Sequence, residues 1–212
     1  MLSQYYTIKS DGQFEIVIKK SRFICTLKRI ESEDEAKEII QSIKKEHWKA
    51  THNCVAYVLG DTQQIQRSTD DGEPSGTAGI PMLEVLKVKE LRNVLAVVTR
   101  YFGGTELGAG GLIRAYSSAV AETIQHVGLV KGVLQQEVIV TIDYPLHGKV
   151  THFLEMNPDY HLKETDFTDK VTLTVMANED AASSLEQQLI DLLSNQCLIE
   201  LGETDYVEIP IN

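Results

Sequence analysis

Apolar and polar positions alternate through Tyr5–Lys9, Phe14–Lys19 and Ser21–Lys28, a period of two that predicts three strands. At Ser32 the period changes. Ala36, Ile39, Ile40 and Ile43 recur at helical spacing behind Ser32-Glu33-Asp34-Glu35, which has the form of a capping box. A helix to about His47 follows from that. Asn53–Leu59 reads as a buried strand, residues 60–75 as a polar connection, and Met82–Leu86 as a short helix with Pro81 suited to its first turn. Asn93–Tyr101 predicts another strand. After a glycine-rich stretch, Leu112, Tyr116, Val120, Ile124 and Val127 mark a long second helix.

Gly128-Leu-Val-Lys-Gly132 breaks this pattern and predicts a boundary between Gly128 and Gln135, with domains over 1–132 and 133–212. Val138, Val140 and Ile142 share one face of a strand over Glu137–Tyr144. Leu146, Val150, Phe153 and Leu154 form a helical stripe that ends at Asn157-Pro158. Two strands, Tyr160–Phe167 and Lys170–Met176, meet at Thr168-Asp169. Asn178 is placed to cap a helix whose buried side carries Leu185, Leu189 and Leu193. Gln196–Leu201 with Asp205–Ile209 supplies a last strand. The order β-α-β-β-α-β is the ferredoxin-like split βαβ pattern, so the expected class is α+β in two domains.

Composition adds a compartment and an asymmetry. The first thirty residues carry charges throughout, no apolar run is long enough to span a bilayer, and three cysteines lack C-x-x-C spacing. A cytoplasmic chain with no membrane partner is expected. The net charge is −11, but it is unevenly spread. Residues 1–132 hold 17 Lys and Arg against 16 Asp and Glu, or +1; residues 133–212 hold 3 against 15, or −12. A contact with phosphate or nucleic acid therefore belongs to the first part, while an acidic surface on the second also serves solubility.

Three stretches carry candidate chemistry. In R-Y-F-G-G-T-E-L-G-A-G-G-L-I-R-A-Y, residues 100–116, five glycines fall between Gly103 and Gly111, flanked by Arg100 and Arg114. A Walker A loop fails because Ala109 stands where lysine is required, and a dinucleotide fingerprint fails at Ile113. What survives is a strand, a glycine loop and a helix N-terminus, a setting that favours an anion or simply a tight turn. In D-D-G-E-P-S-G-T-A-G-I-P, residues 70–81, Asp70, Asp71 and Glu73 offer oxygen ligands for a hard cation, without EF-hand spacing. Asp-Gly and Glu-Pro are equally ordinary turn formers. No metal and no cofactor are expected. In T-H-N-C, residues 51–54, His52 and Cys54 share a strand face with no evident third orienting group, so Cys54 reads as a small buried residue.

Together, D-D-G-E-P-S-G-T-A-G-I-P-M-L and V-V-T-R-Y-F-G-G-T-E-L-G-A-G-G-L-I-R-A-Y resemble the signature of the IMPACT family, in its bacterial YigZ/YvyE branch. The resemblance covers about residues 15–130, and the tail matches the family's second domain. It implies a first domain like ribosomal protein S5 domain 2 and a ferredoxin-like second domain, similar to domains IV and V of elongation factor G. Its hallmark positions are Asp70, Asp71, Gly72, Glu73, Pro74, Ser75, Gly76, Thr77 and Gly79 in the first group. The second group is Arg100, Tyr101, Gly103, Gly104, Leu107, Gly108, Gly110, Gly111, Leu112, Arg114, Ala115 and Tyr116. No catalytic role comes with them. Eukaryotic members carry an N-terminal RWD domain, for which no room is expected ahead of the first strands here, and lack the second domain, so the resemblance does not carry over their kinase pathway.

The resulting expectation is a non-enzymatic, translation-associated protein that binds RNA, the ribosome or a ribosomal factor through its first domain. Arg100, Gly103, Gly104, Gly108, Gly110, Gly111 and Arg114 would contact the anion. Asp70, Asp71, Gly72, Glu73, Ser75, Thr77, Tyr101 and Tyr116 would share the adjoining surface. The alternatives are a phosphate-binding small-molecule enzyme using the glycine loop with Asp70, Asp71 or Glu73, and a protein-interaction module built on the acidic second domain.

Overall fold

The computed structural model describes residues 2–211. It divides into two compact units, one running to Gly132 and taking in the chain again from Ile209, the other Val133–Glu208.

The first unit contains β1 (Gln4–Ile8), β2 (Gly12–Ile18), β3 (Ser21–Arg29), α1 (Glu33–Glu46), β4 (His52–Leu59), β5 (Ile65–Thr69), α2 (Gly79–Val88), β6 (Val94–Tyr101) and α3 (Ala109–Val127). Its sheet has the order β2-β3-β6-β4-β5, with every neighbouring pair antiparallel. β1 lies outside this sheet, bridged to Leu91 through Tyr6. Val94–Val98 is an unbroken apolar run because β6 is central and covered on both faces. Successive side chains serve opposite cores. Val94, Ala96 and Val98 join Phe23, Cys54 and Tyr116 in the larger core, to which α2 and α3 contribute. Leu95 and Val97 pack with Ile43 of α1, Val55 and Tyr57 in the smaller one.

Local chemistry explains most element ends. Ser32 caps α1 by accepting from the Glu35 N–H at 3.2 Å. The reciprocal bond is displaced by one residue: the Glu35 carboxylate accepts from the Glu31 N–H at 2.7 Å rather than from that of Ser32. Residues read as polar connection contain β5, an edge strand paired only with β4. Its Q-R-S-T tail carries no apolar alternation, so the backbone ladder alone defines it. The short helix begins three residues before Met82, at Gly79, where a Cβ would stand 2.8 Å from the backbone of Thr69. The β2–β3 hairpin turns on Lys19 and Lys20, both at positive φ (46° and 67°), a geometry that usually selects Asn-Gly.

The second unit follows the expected element order: β7 (Leu129–Ile142), α4 (His147–Met156), β8 (His161–Phe167), β9 (Val171–Asn178), α5 (Ala182–Leu193) and β10 (Cys197–Ile211). β9 pairs antiparallel with β7 on one side and β8 on the other, and β10 pairs with β7. Val138, Val140 and Ile142 face Leu173, Leu185 and Leu189 in one core. The division between the units falls at Gly132/Val133, within the window expected from the glycines. Gly128 is the C-cap of α3, β7 follows at once, and a Cβ at Gly132 would run into the Tyr5 ring. One local expectation fails. Asn178 caps nothing: a 3-10 turn, Glu179–Ala181, intervenes, Ala181 occupies the N-cap, and the Asn178 side chain accepts from Gln135.

Candidate functional site

Two stretches far apart in sequence close over the end of the central strands. The chain leaves β5 through the acidic turn and leaves β6 through the glycine loop, and between them lies a cleft of about 370 Å³. Thr51 and His52 come from the start of β4, Glu73 and Pro74 from the turn, and Arg100 and Phe102 from the end of β6. Glu106, Leu107, Gly108 and Leu112 come from the loop and α3.

The acidic turn is held by its own carboxylates, each on a different set of donors. Asp70 caps α2 from a distance, accepting from the N–H groups of Gly76 (2.8 Å), Ala78 (3.1 Å) and Gly79 (2.8 Å). Burial raises its pKa, and those three donors outweigh that effect and hold it below the usual carboxylate value. Asp71, at φ 45°, accepts from the Asn53 N–H at 2.7 Å and pairs with Lys44 at 2.7 Å. Gly72 and Gly76 supply positive φ angles, Ser75 is exposed, and buried Thr77 donates to the Pro74 carbonyl. Because the three carboxylates diverge, they do not converge on a cation. Among the described residues no cluster of three His, Cys, Asp or Glu side chains is arranged to hold a metal.

Glu73 turns inward. Its Oε1 accepts from Arg100 Nη1 at 2.6 Å and from the Tyr116 hydroxyl at 2.7 Å, and its Oε2 lies 3.7 Å from His52 Nε2. The Arg100 and Glu73 side chains are only 6% and 3% exposed, so this is a buried ion pair under the cleft. Arg100 also lies between the rings of Phe23 and Phe102, at 5.3 and 5.5 Å, and reaches Ser21 at 3.4 Å. Its Nε is buried without a partner among the described residues. The expected role of Arg100 is therefore corrected: its charge is already met by Glu73, and it does not stand free beside the glycines. Tyr116, Glu73 and Thr77 likewise belong to the interior, not the surface, and Tyr101 is half-buried against His47. Burial pushes the Tyr116 phenol far up and the Cys54 thiol up to about 12. Cys54 donates to the Asp70 carbonyl at 3.0 Å and is an inert structural thiol.

The glycines divide by cause. Gly103 permits close approach, since a Cβ would collide with the backbone of Lys20 and Ser21. Gly104 and Gly108 sit at φ 83° and 69°, where L side chains are strained. Gly110 meets no such limit: the nearest atom to its Cβ position is Arg114 Nη1, at 3.8 Å. Gly108 is the N-cap of α3 and brings no side-chain cap. The first helical bond runs from the Leu112 N–H to the Gly108 carbonyl at 2.9 Å, so the N–H groups of Ala109, Gly110 and Gly111 precede it. They remain available at the positive end of the helix dipole, with exposed Arg114 over the same turn.

Sequence reasoning missed three contributors. The T-H-N-C stretch sets His52 only beside Cys54, yet its true partners come from the acidic turn: Nδ1 lies 2.9 Å from the Asp71 carbonyl. Phe102, half exposed in the cleft wall, carried no motif. The Lys19-Lys20 turn, backed against Gly103, had only its two consecutive lysines to signal it.

Residues 19–124 match the family model described as the Impact N-terminal domain, and residues 140–196 match a domain of unknown function, DUF1949. The chain is 47% identical over 212 residues to the IMPACT family member YvyE of Bacillus subtilis, covering 100% of this chain and 97% of that one. It is 47% identical over 111 residues to the IMPACT family member YigZ of Escherichia coli, covering 51% and 54%. The Protein IMPACT homolog of Schizosaccharomyces pombe is 34% identical over 108 residues, covering 49% and 38%. A solved structure titled "Crystal structure of an hypothetical protein" superposes with a TM-score of 0.59 at 30% identity, covering 96% of this chain and 99% of that one.

Proposed function

This chain belongs to the IMPACT family, and on that premise we propose that it is a translation-associated regulator that grips RNA through the cleft of its first unit. The observation that carries this reading is the uncapped N-terminus of α3 opening beside the cleft that half-exposed Phe102 lines. Backbone N–H groups and a helix dipole suit a phosphate, and an exposed aromatic face suits an unstacked base. Exposed Lys20, whose backbone lies against Gly103, and exposed Arg114, over Gly110, are the cations nearest the glycine loop in this reading. Two lysines in a left-handed turn are strained backbone, which native proteins keep where position matters. Charge agrees: the strongly negative second part repels RNA, leaving the first as the binding face.

Fold supports the same reading. The β-α-β-β-α-β order with β10 and β9 on either side of β7 supports a ferredoxin-like second domain, after a first domain of the S5 domain 2 type. That pairing resembles the last two domains of elongation factor G. The domains are 1–132 and 133–212 on this reading, in a cytoplasmic protein. Fluorescence anisotropy with a labelled single-stranded RNA tests the proposal. The variant Lys20→Glu/Arg114→Glu should bind more weakly, and its log–log salt slope should flatten by about 0.7 for each phosphate no longer engaged. A folded double variant with unchanged affinity and slope refutes it.

A further inference from the structure

We propose that the floor of the cleft recognises a ribose cis-diol, so that the RNA engaged there is a 3′ end; this rests on the RNA reading above. His52 Nδ1 lies 2.9 Å from the Asp71 carbonyl oxygen, which only accepts, so Nδ1 carries the proton. In the neutral ring Nε2 is then an acceptor, and His52 lines the cleft. Facing it is Glu73, whose Oε1 is saturated by Arg100 and Tyr116 while Oε2 receives no hydrogen bond from any described residue. Among the described residues the sealed, unpartnered side-chain atoms are Arg100 Nε and Gln135 Oε1, and Glu73 Oε2, also without a hydrogen bond but lining the cleft, is open to it.

Nε2 and Oε2 stand 3.7 Å apart, beyond hydrogen-bond distance, so neither satisfies the other. The floor therefore offers two neighbouring acceptors, on side chains 17% and 3% exposed, and it needs two neighbouring donors. A vicinal diol supplies two neighbouring hydroxyls, one to donate to each acceptor, and a carboxylate on a ribose hydroxyl is an established recognition chemistry. The same cleft carries the α3 N-terminus, so one ligand can set its 5′-phosphate on the helix and its diol on His52 and Glu73. Within RNA only the 3′-terminal nucleotide has both hydroxyls free. DNA lacks the 2′-hydroxyl altogether.

The test uses the full chain and one 5′-labelled oligoribonucleotide made in three forms: free 3′ end, 2′-deoxy at the last nucleotide only, and 3′-phosphate. Both altered forms should bind roughly three- to tenfold more weakly than the free end, the range expected for one buried hydrogen bond. His52→Ala should narrow that difference, with a thermal melt showing that the variant is folded. Equal affinity for all three forms overturns the diol inference and leaves the phosphate reading standing. Absence of binding by every form overturns both. Competition by adenosine 5′-monophosphate as complete as by the oligonucleotide, with the same 2′-hydroxyl dependence, overturns the RNA assignment in favour of a free ribonucleotide.

Discussion

Replacing Arg100 by methionine isolates the buried pair on which the cleft is built. Methionine keeps an apolar body between Phe23 and Phe102 but removes the 2.6 Å bond to Glu73. The Glu73 carboxylate, 3% exposed, would then hold only the Tyr116 hydroxyl and the distant His52. Breaking a buried ion pair from one side costs about 3–5 kcal/mol, because the remaining charge stays desolvated. For a unit of this size that corresponds to a fall in melting temperature of about 10–20 °C. Urea melts followed by circular dichroism measure it. The double variant Arg100→Met/Glu73→Gln leaves no charge behind and should recover about 2 kcal/mol or more of the loss, a coupling that a double-mutant cycle extracts. A single-variant loss below about 1 kcal/mol, or a double variant no more stable than Arg100→Met, refutes the account of Glu73 as a buried anion that depends on Arg100.

Cysteine reactivity separates the three thiols. Burial pushes Cys25 and Cys54 up to about 12, while half-buried Cys197 is raised less, so iodoacetamide on the native protein should label Cys197 first. Mass spectrometry showing Cys54 modified as fast as Cys197 would contradict its structural role. Acid titration addresses Asp70, whose folded pKa lies below its unfolded value. Its stabilising contribution is present above about pH 4 and disappears as pH falls through the lower folded value. Asp70→Asn should lower the urea midpoint at neutral pH and flatten its decline in acid; identical pH profiles for variant and parent would rule out the capping role.

Much of the architecture was legible because it rests on local periodicity. The two-residue alternation of the early strands, the α1 stripe behind Ser32 and the β-α-β-β-α-β order of the second half each follow from side chains that must reach one core. β5 was invisible because an edge strand with one half-buried apolar residue is specified by its backbone pairing with β4. The boundary glycines marked the right place, since the units part at Gly132/Val133, but for local reasons no spacing shows: Gly128 is a helix cap and Gly132 makes room for the Tyr5 ring. Asn178 showed the limit of capping rules, since a 3-10 turn moved the helix start away from it.

The sequence by itself singled out the two segments that line the cleft, the glycine loop and the acidic turn, because special backbone geometry demands glycine and turn formers at set positions. It also determined the charge asymmetry that favours the first part for an anionic partner. Only the tertiary structure decided what each charged residue does. Arg100 and Glu73 are 27 positions apart, and Tyr116 is 43 from Glu73, so their meeting depends on β6, the turn and α3 arriving at one point. Burial then converts an arginine that looked like an anion contact into the partner of an interior carboxylate. That carboxylate keeps one oxygen open to the cleft, beside His52, and no spacing along the chain encodes this.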